Sequence, residues 1–182
     1  MSKIITKKYF LKDRTTVTFR PAQIKDAVSL LKLNKEIIRE GPYMLHEIDE
    51  YKATVNSERN QVRKLNKSPS KIYIVAEVNN KVIGYLTFQN GSLRRNVHAG
   101  FLSMFIKKNY RGKGIGRLLL SELIKWAELN PTVEKLSLAV FSNNSRAIAL
   151  YKKMGFIQEG RCPKDMKIGG KYVDSLLMYK FV

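Results

Sequence analysis

The chain has 182 residues, 44% hydrophobic and 10% aromatic, which suits one globular domain with a single good core. No apolar run approaches the roughly 20 residues that a membrane span needs, and the single cysteine, Cys162, excludes an internal disulfide. The formal charge of +19 is spread along the chain, with 16 Lys/Arg against 8 Asp/Glu in residues 1–71 and 18 against 7 in residues 72–182, so it is not a detachable basic tail.

Met1 to Lys12 is polar and basic, with no apolar stretch or small-residue cleavage site, and so does not resemble a secretory signal. A cytoplasmic protein is expected, with residues 1–14 as a loose basic segment. His46, His98 and Cys162 are too widely separated for a structural zinc site, so no metal is expected. The charge predicts attraction to polyanions: a phosphorylated cofactor, an acidic protein surface, or RNA and ribosomes. Tyr9 and Phe10 beside Lys7, Lys8 and Lys12 form a weak aromatic and basic cluster of the kind that stacks on RNA.

A first strand is predicted at Thr15 to Arg20, where Val17 and Phe19 alternate with threonines before Pro21. A helix follows through Ala27, Leu30, Leu31, Leu33, Ile37 and Ile38 until Gly41-Pro42 stops it. A second, more polar helix is placed from about Asp49 to Leu65, too charged for the core and suited to covering one side of a cleft. Lys71 to Val78 and Val82 to Gln89 read as a hairpin around Asn79-Asn80, residues that tolerate positive φ. Gly91-Ser92 makes the next turn, and Asn96 to Ile106 forms a long strand.

That strand leads into Tyr110-Arg111-Gly112-Lys113-Gly114-Ile115-Gly116-Arg117, and Leu118, Leu119, Leu120, Leu123, Ile124 and Ala127 then recur at helical spacing. The glycines mark a strand-to-helix turn, which aims unpaired backbone N–H groups and the positive end of a helix dipole at one place. Lys107, Lys108, Arg111, Lys113 and Arg117 surround it, so a di- or polyphosphate is the expected ligand. Taken alone, the glycines serve equally well as a plain turn, and the cations as a solvated face. A Walker loop does not fit, because leucines follow Arg117, and a Rossmann fingerprint does not fit the G-x-G-x-G spacing late in the chain.

The helix from Gly114 to about Leu129 ends before Asn130-Pro131. Val133 to Val140 is then a strand, Asn144 to Met154 a helix, and Phe156 to Gly160 with Tyr172 to Phe181 a final pair of strands. Hairpins followed by one β-α-β crossover indicate an α/β (mixed α+β) fold. One domain over residues 1–182 is expected, with a central, twisted, mostly antiparallel sheet of about seven strands and helices on both faces. In the last helix Asn144 is a good N-cap, and Tyr151 lies two turns on, so both side chains share one side.

Two segments together resemble the GNAT superfamily of N-acetyltransferases. Arg111-Gly112-Lys113-Gly114-Ile115-Gly116 is similar to that family's Arg/Gln-x-x-Gly-x-Gly/Ala loop, and Asn144 through Phe156 to its Asn-x-x-Ala-x-x-Leu-Tyr-x-x-x-Gly-Phe segment. Phe19-Arg20-Pro21-Ala22 and Gly170-Lys171-Tyr172-Val173-Asp174 to Met178 extend the resemblance more loosely to nearly the whole chain. The resemblance implies transfer of an acetyl group from acetyl-CoA to a primary amine of a small molecule or protein, by direct attack in a ternary complex without a covalent enzyme intermediate. It implies that the backbone of Met104, Phe105 and Ile106 pairs with the pantetheine arm, that Arg111, Gly112, Lys113, Gly114, Ile115, Gly116 and Arg117 hold the pyrophosphate, and that Asn144 places the arm. Tyr151 would be the general acid toward the thiolate, with a backbone N–H near Met104 as oxyanion donor.

The general base has no carboxylate at the positions relatives often use, where Phe101, Leu102 and Ala139 stand. Ser103, His98, Glu47 and Glu77 remain, and a water chain to solvent is the preferred proton path. Glu36 to Tyr51 and Lys164 to Asp174 are expected to build the acceptor pocket, with Glu40, Glu47, Asp49, Glu50 and Asp174 as candidate attractors of a cationic amine. A homodimer is a further expectation. The rival reading is a non-enzymatic acetyl-CoA-binding or RNA/ribosome-associated basic protein of the same fold.

Overall fold

A computed structural model describes residues 5–41 and 43–182. Met1 to Ile4 of the expected loose segment, and Pro42 of the expected helix stop, lie outside the described residues. The chain runs β1 (Lys7–Phe10), β2 (Thr16–Pro21), α1 (Ala27–Glu40), α2 (Val55–Lys67), β3 (Ile72–Val78), β4 (Lys81–Asn90) and β5 (Ala99–Ile106). It continues through α3 (Ile115–Glu128), β6 (Lys135–Phe141), α4 (Ser145–Lys153), β7 (Ile157–Ile168) and β8 (Lys171–Phe181).

One sheet takes the order β1-β2-β3-β4-β5-β6-β8-β7, antiparallel throughout except at β5–β6. That parallel pair is joined by the crossover helix α3, as the hairpins and single crossover predict. The β3–β4 turn places Asn79 and Asn80 at φ 48° and 60°, the left-handed pair that a two-residue hairpin demands. Two apolar clusters cover the sheet. Leu30, Leu33 and Ile37 of α1 pack with Val62 and Leu65 of α2 on one face. On the other, α3 contributes Leu119, Leu120 and Leu123, and α4 contributes Tyr151.

The sheet has eight strands because residues 7–10, expected to be loose, form β1 on the edge of β2. The cause is a distant partner. Lys7 Nζ bonds Glu122 Oε2 of α3 at 2.7 Å, the Tyr9 hydroxyl donates to Glu122 Oε1, and the Tyr9 ring packs on Phe19. Burial raises the Glu122 carboxyl, and the Lys7 and Tyr9 bonds overcome that and hold it below its ordinary value.

Helix α2 starts six residues later than Asp49, at a Thr54 cap whose side chain accepts from Ser57 N at 3.1 Å. It is not merely a polar cover: Val62, Leu65 and Glu58 are buried. The last hairpin is also longer than expected, since β7 extends to Ile168.

Strands β5 and β6 part company early. They pair only over Ala99–Phe101 and Lys135–Ser137, whereas β5 stays on β4 to Ile106 and β6 stays on β8 to Phe141. The sheet therefore opens beyond Phe101 and Ser137.

Candidate active site

The bonds Gly91 N–H to Ala99 O and Lys107 N–H to Ile83 O fix which residues of β5 turn their backbone toward β4. By the two-residue period these are the odd positions, so Leu102, Met104 and Ile106 turn theirs into the opening. The Ile106 carbonyl accepts from Arg111 Nε at 2.7 Å. The C=O of Leu102, the N–H and C=O of Met104, and the N–H of Ile106 thus form a free strand edge inside the molecule. Phe105 belongs to the cleft through its ring, which packs 5.4 Å from Tyr85, and its backbone faces β4.

The opening continues into a cleft of about 810 Å³. At one end stands the glycine loop. Gly112 and Gly114 adopt φ 84° and 88°, conformations that side chains rarely take, and Gly114 is the N-cap of α3. Gly116 is helical, and its reason is space: a Cβ there would lie 3.2 Å from Leu150 Cδ2 and 3.4 Å from the Met104 and Ile106 side-chain ends. The first intrahelical bond of α3 runs from Leu118 N–H to Gly114 O, and no side chain caps this end. The amides of Ile115, Gly116 and Arg117, which all line the cleft, are unused by the helix. That is an anion seat by geometry and dipole together.

The surrounding cations divide. Lys107 pairs with Glu36 at 2.6 Å, Arg111 with Glu40 at 2.7 Å and Lys113 with Asp13 at 2.7 Å. Lys113 is the one predicted cofactor position that does not line the cleft, because its side chain turns toward Asp13. Arg117 lines it. So does Arg146, which sequence reasoning missed; its Nη2 would lie 3.3 Å from a Cβ placed on Gly112. Its signal in the sequence is a cation in the first turn of the helix that Asn144 caps.

Asn144 and Tyr151 both line the cleft, as their shared side of α4 predicts. The Asn144 Oδ1 is spent on its own helix, accepting from Ala147 N at 3.2 Å, which leaves the Nδ2 for another partner. Tyr151 is only 7% exposed and packs edge-on against Phe156. Burial pushes its hydroxyl up to about 12, so the proton stays on oxygen at neutral pH.

Across the opening, the connector after α1 lays the Tyr43 ring 6.3 Å from Phe141, with its hydroxyl 3.5 Å from the Asn143 carbonyl. Among the candidate bases, Ser103 lines the cleft, while His98 and Glu47 do not, and Glu77 is held by Arg20 at 2.6 Å. Of the candidate amine attractors, Glu40 lines the cleft but is paired with Arg111, and Asp174 is engaged by Lys164 N–H and Arg161. Glu47, Asp49 and Glu50 are exposed outside it.

The free strand edge, the anion seat and the buried phenol suit an extended thioester carrying a pyrophosphate, so acetyl-CoA fits the residues present. Among the described residues no group of three or more His, Cys, Asp or Glu is placed to hold a metal, and no helix is long and apolar enough to cross a membrane.

Known proteins agree with this geometry. Over 105 residues the chain is 30% identical to an L-amino acid N-acetyltransferase of Escherichia coli (strain K12), covering 58% of this chain and 65% of that relative, just under two thirds of its length. An acetyltransferase of the GNAT family from Streptococcus pneumoniae superposes with a TM-score of 0.88 at 30% identity, over 91% of this chain and 99% of that one. A phosphinothricin acetyltransferase from Sinorhizobium meliloti, solved in complex with acetyl-CoA, shares the fold with a TM-score of 0.79 at 22% identity, over 91% and 88% of the two chains. Residues 35–156 match the family model of the acetyltransferase (GNAT) family, and the chain belongs to that family.

Proposed function

We propose that the protein transfers the acetyl group of acetyl-CoA to a primary amine by direct attack. The observation that carries this reading is the convergence, in one cleft, of the open β5 edge at Met104, the uncapped start of α3, and Tyr151. The acetyl-CoA complex of the Sinorhizobium protein and the amino acid acceptor named for the Escherichia coli relative support the two halves of the assignment.

Acetyl-CoA supplies an activated acetyl thioester. The pyrophosphate is received by the amides of Ile115, Gly116 and Arg117 with the Arg117 and Arg146 guanidinium groups, and the pantetheine arm by the Met104 edge and Asn144 Nδ2. The Met104 N–H is a hydrogen-bond donor fixed in advance toward charge that develops on the carbonyl oxygen. Tyr151 Oη keeps its proton until a thiolate needs one, because burial holds the phenol neutral. The amine's proton leaves through water. Cys162 does not line the cleft, and Ser103, Ser145 and Ser175, which do, have no histidine among the described residues that line it with them, so no activated nucleophile favours a covalent route.

Thiol release from acetyl-CoA, followed across a panel of primary amines, tests the proposal. Amine-dependent release by the wild type, at least tenfold lower in Tyr151→Phe, is expected. Tight CoA binding with no release on any amine contradicts it.

A further inference from the structure

Strand β7 carries a wide bulge. Cys162 pairs with Ser175 and Met166 with Val173, so Pro163, Lys164 and Asp165 oppose the single residue Asp174. Asp174 pins the bulge, accepting from Lys164 N–H at 2.8 Å and from Arg161 Nε at 2.6 Å, and Lys164 takes φ 52° to make the bend. The consequence is that Asp165 lines the cleft.

Asp165 and Glu40 are the two carboxylates that line the cleft among the described residues. Glu40 is neutralised by Arg111, whereas Asp165 makes no ion pair and no side-chain hydrogen bond among the described residues. Met166 follows Asp165 in the chain, and Tyr43, Met44, Leu45, Phe101 and Phe141 give the cleft further aromatic and apolar lining. The cations that line the cleft are Arg111, in the loop before α3 and paired with Glu40, and Arg117 and Arg146, in the first turns of α3 and α4 where the phosphate seat is.

We infer that Asp165 receives the ammonium group of the acceptor, and that the acceptor is a monocationic amine with an apolar body and no carboxylate beside the amine. The peptide N-terminus of an apolar residue is one such amine. This rests on the acetyl-transfer reading of the same cleft. A polyamine would bring a second ammonium with no second free carboxylate to meet it. A free amino acid would bring its own carboxylate close to the Asp165 carboxylate, and like charges set side by side repel. One ammonium against one carboxylate that has no ion-pair partner among the described residues, with the side chain on the aromatic and methionine lining, leaves nothing unmatched.

The test uses L-methioninamide, L-methionine and spermidine as probes on the whole protein, with wild type, Asp165→Asn and Asp165→Glu. Thiol release is measured by kinetics, and methioninamide binding to the CoA-loaded protein by titration calorimetry. In the wild type, kcat/KM for methioninamide should exceed that for methionine and spermidine at least tenfold. Asp165→Asn should raise KM and Kd for methioninamide at least tenfold with CoA affinity unchanged, and Asp165→Glu should restore part of the loss. Equal methioninamide binding by wild type and Asp165→Asn, no binding by the wild type, or a preference for spermidine or free methionine overturns the inference. Methioninamide binding that depends on Asp165, without thiol release, supports the site and overturns acetyl transfer instead.

Discussion

The Arg146 guanidinium stands over Gly112, so close that a Cβ on the glycine would come within 3.3 Å of Nη2. The two residues come from different motifs, one from the loop before α3 and the other from the first turn of α4. Their approach joins the N-terminal ends of both helices into one anion seat.

Arg146→Ala should therefore weaken CoA. A charge-assisted bond to a phosphate contributes about 1.5–3 kcal/mol, so a loss of about ten- to a hundredfold in CoA affinity is expected. Calorimetry at two salt concentrations checks it, and the variant should also show a shallower salt dependence. The KM for an amine acceptor should change little.

Tyr151→Phe removes the proton that burial keeps on oxygen. A drop of about 10²- to 10³-fold in kcat is expected, with CoA affinity near that of the wild type. The hydroxyl is pushed up to about 12, so it stays protonated across the neutral and mildly alkaline range. The kcat profile of the wild type should show no alkaline fall from this group below about pH 11, and a fall near pH 9 that vanishes in Tyr151→Phe would contradict the assignment.

Glu58 is 3% exposed, accepts from Asn34 and Tyr51 at its Oε1, and has no partner for Oε2 among the described residues. Burial raises its carboxyl, so the native state prefers the protonated acid. The corresponding stability is complete below the unfolded value of about 4.3 and is lost as pH rises through the folded value. Glu58→Gln mimics the neutral acid. It should melt higher than the wild type at pH 8, by about 2–4 °C for each kcal/mol removed, and the difference should close near pH 4. Melting curves at the two pH values measure this.

Arg20 binds Asp26 through both Nη atoms, at 2.7 and 2.9 Å, and Glu77 through Nη2 and Nε, tying β2 to β3 and to the turn before α1. Burial raises the Asp26 carboxyl, but Arg20 and the Gln23 amide more than offset it, and the net result lies below its ordinary value. Arg20→Ala leaves a buried carboxylate unpaired and should cost about 3 kcal/mol in urea unfolding at pH 7. The gap to the wild type should narrow as pH falls through the Asp26 value, because the stabilisation from a depressed carboxyl is lost on protonation.

What was legible in the sequence was what local chemistry decides. The left-handed Asn79-Asn80 turn, the glycines before α3 and the Asn144 cap are each specified within a few residues, and the order of hairpins and crossover follows from them. Strand β1 was not legible, since Lys7 and Tyr9 are ordered by Glu122, more than a hundred residues away. Asp165 lies in the segment expected to wall the acceptor pocket, but its own approach to the cleft depends on a bulge that Asp174 holds from the neighbouring strand. The loop's cations read as one positive patch, yet Lys107, Arg111 and Lys113 find carboxylates on α1 and in the β1–β2 turn.

Amide hydrogen exchange along β5, with and without acetyl-CoA, tests most directly whether the donor occupies the opening between β5 and β6. The Met104 N–H faces the opening and should gain protection when acetyl-CoA binds, while the Phe105 N–H, already turned to β4, should change little. Unchanged exchange at Met104 under saturating acetyl-CoA would contradict the account.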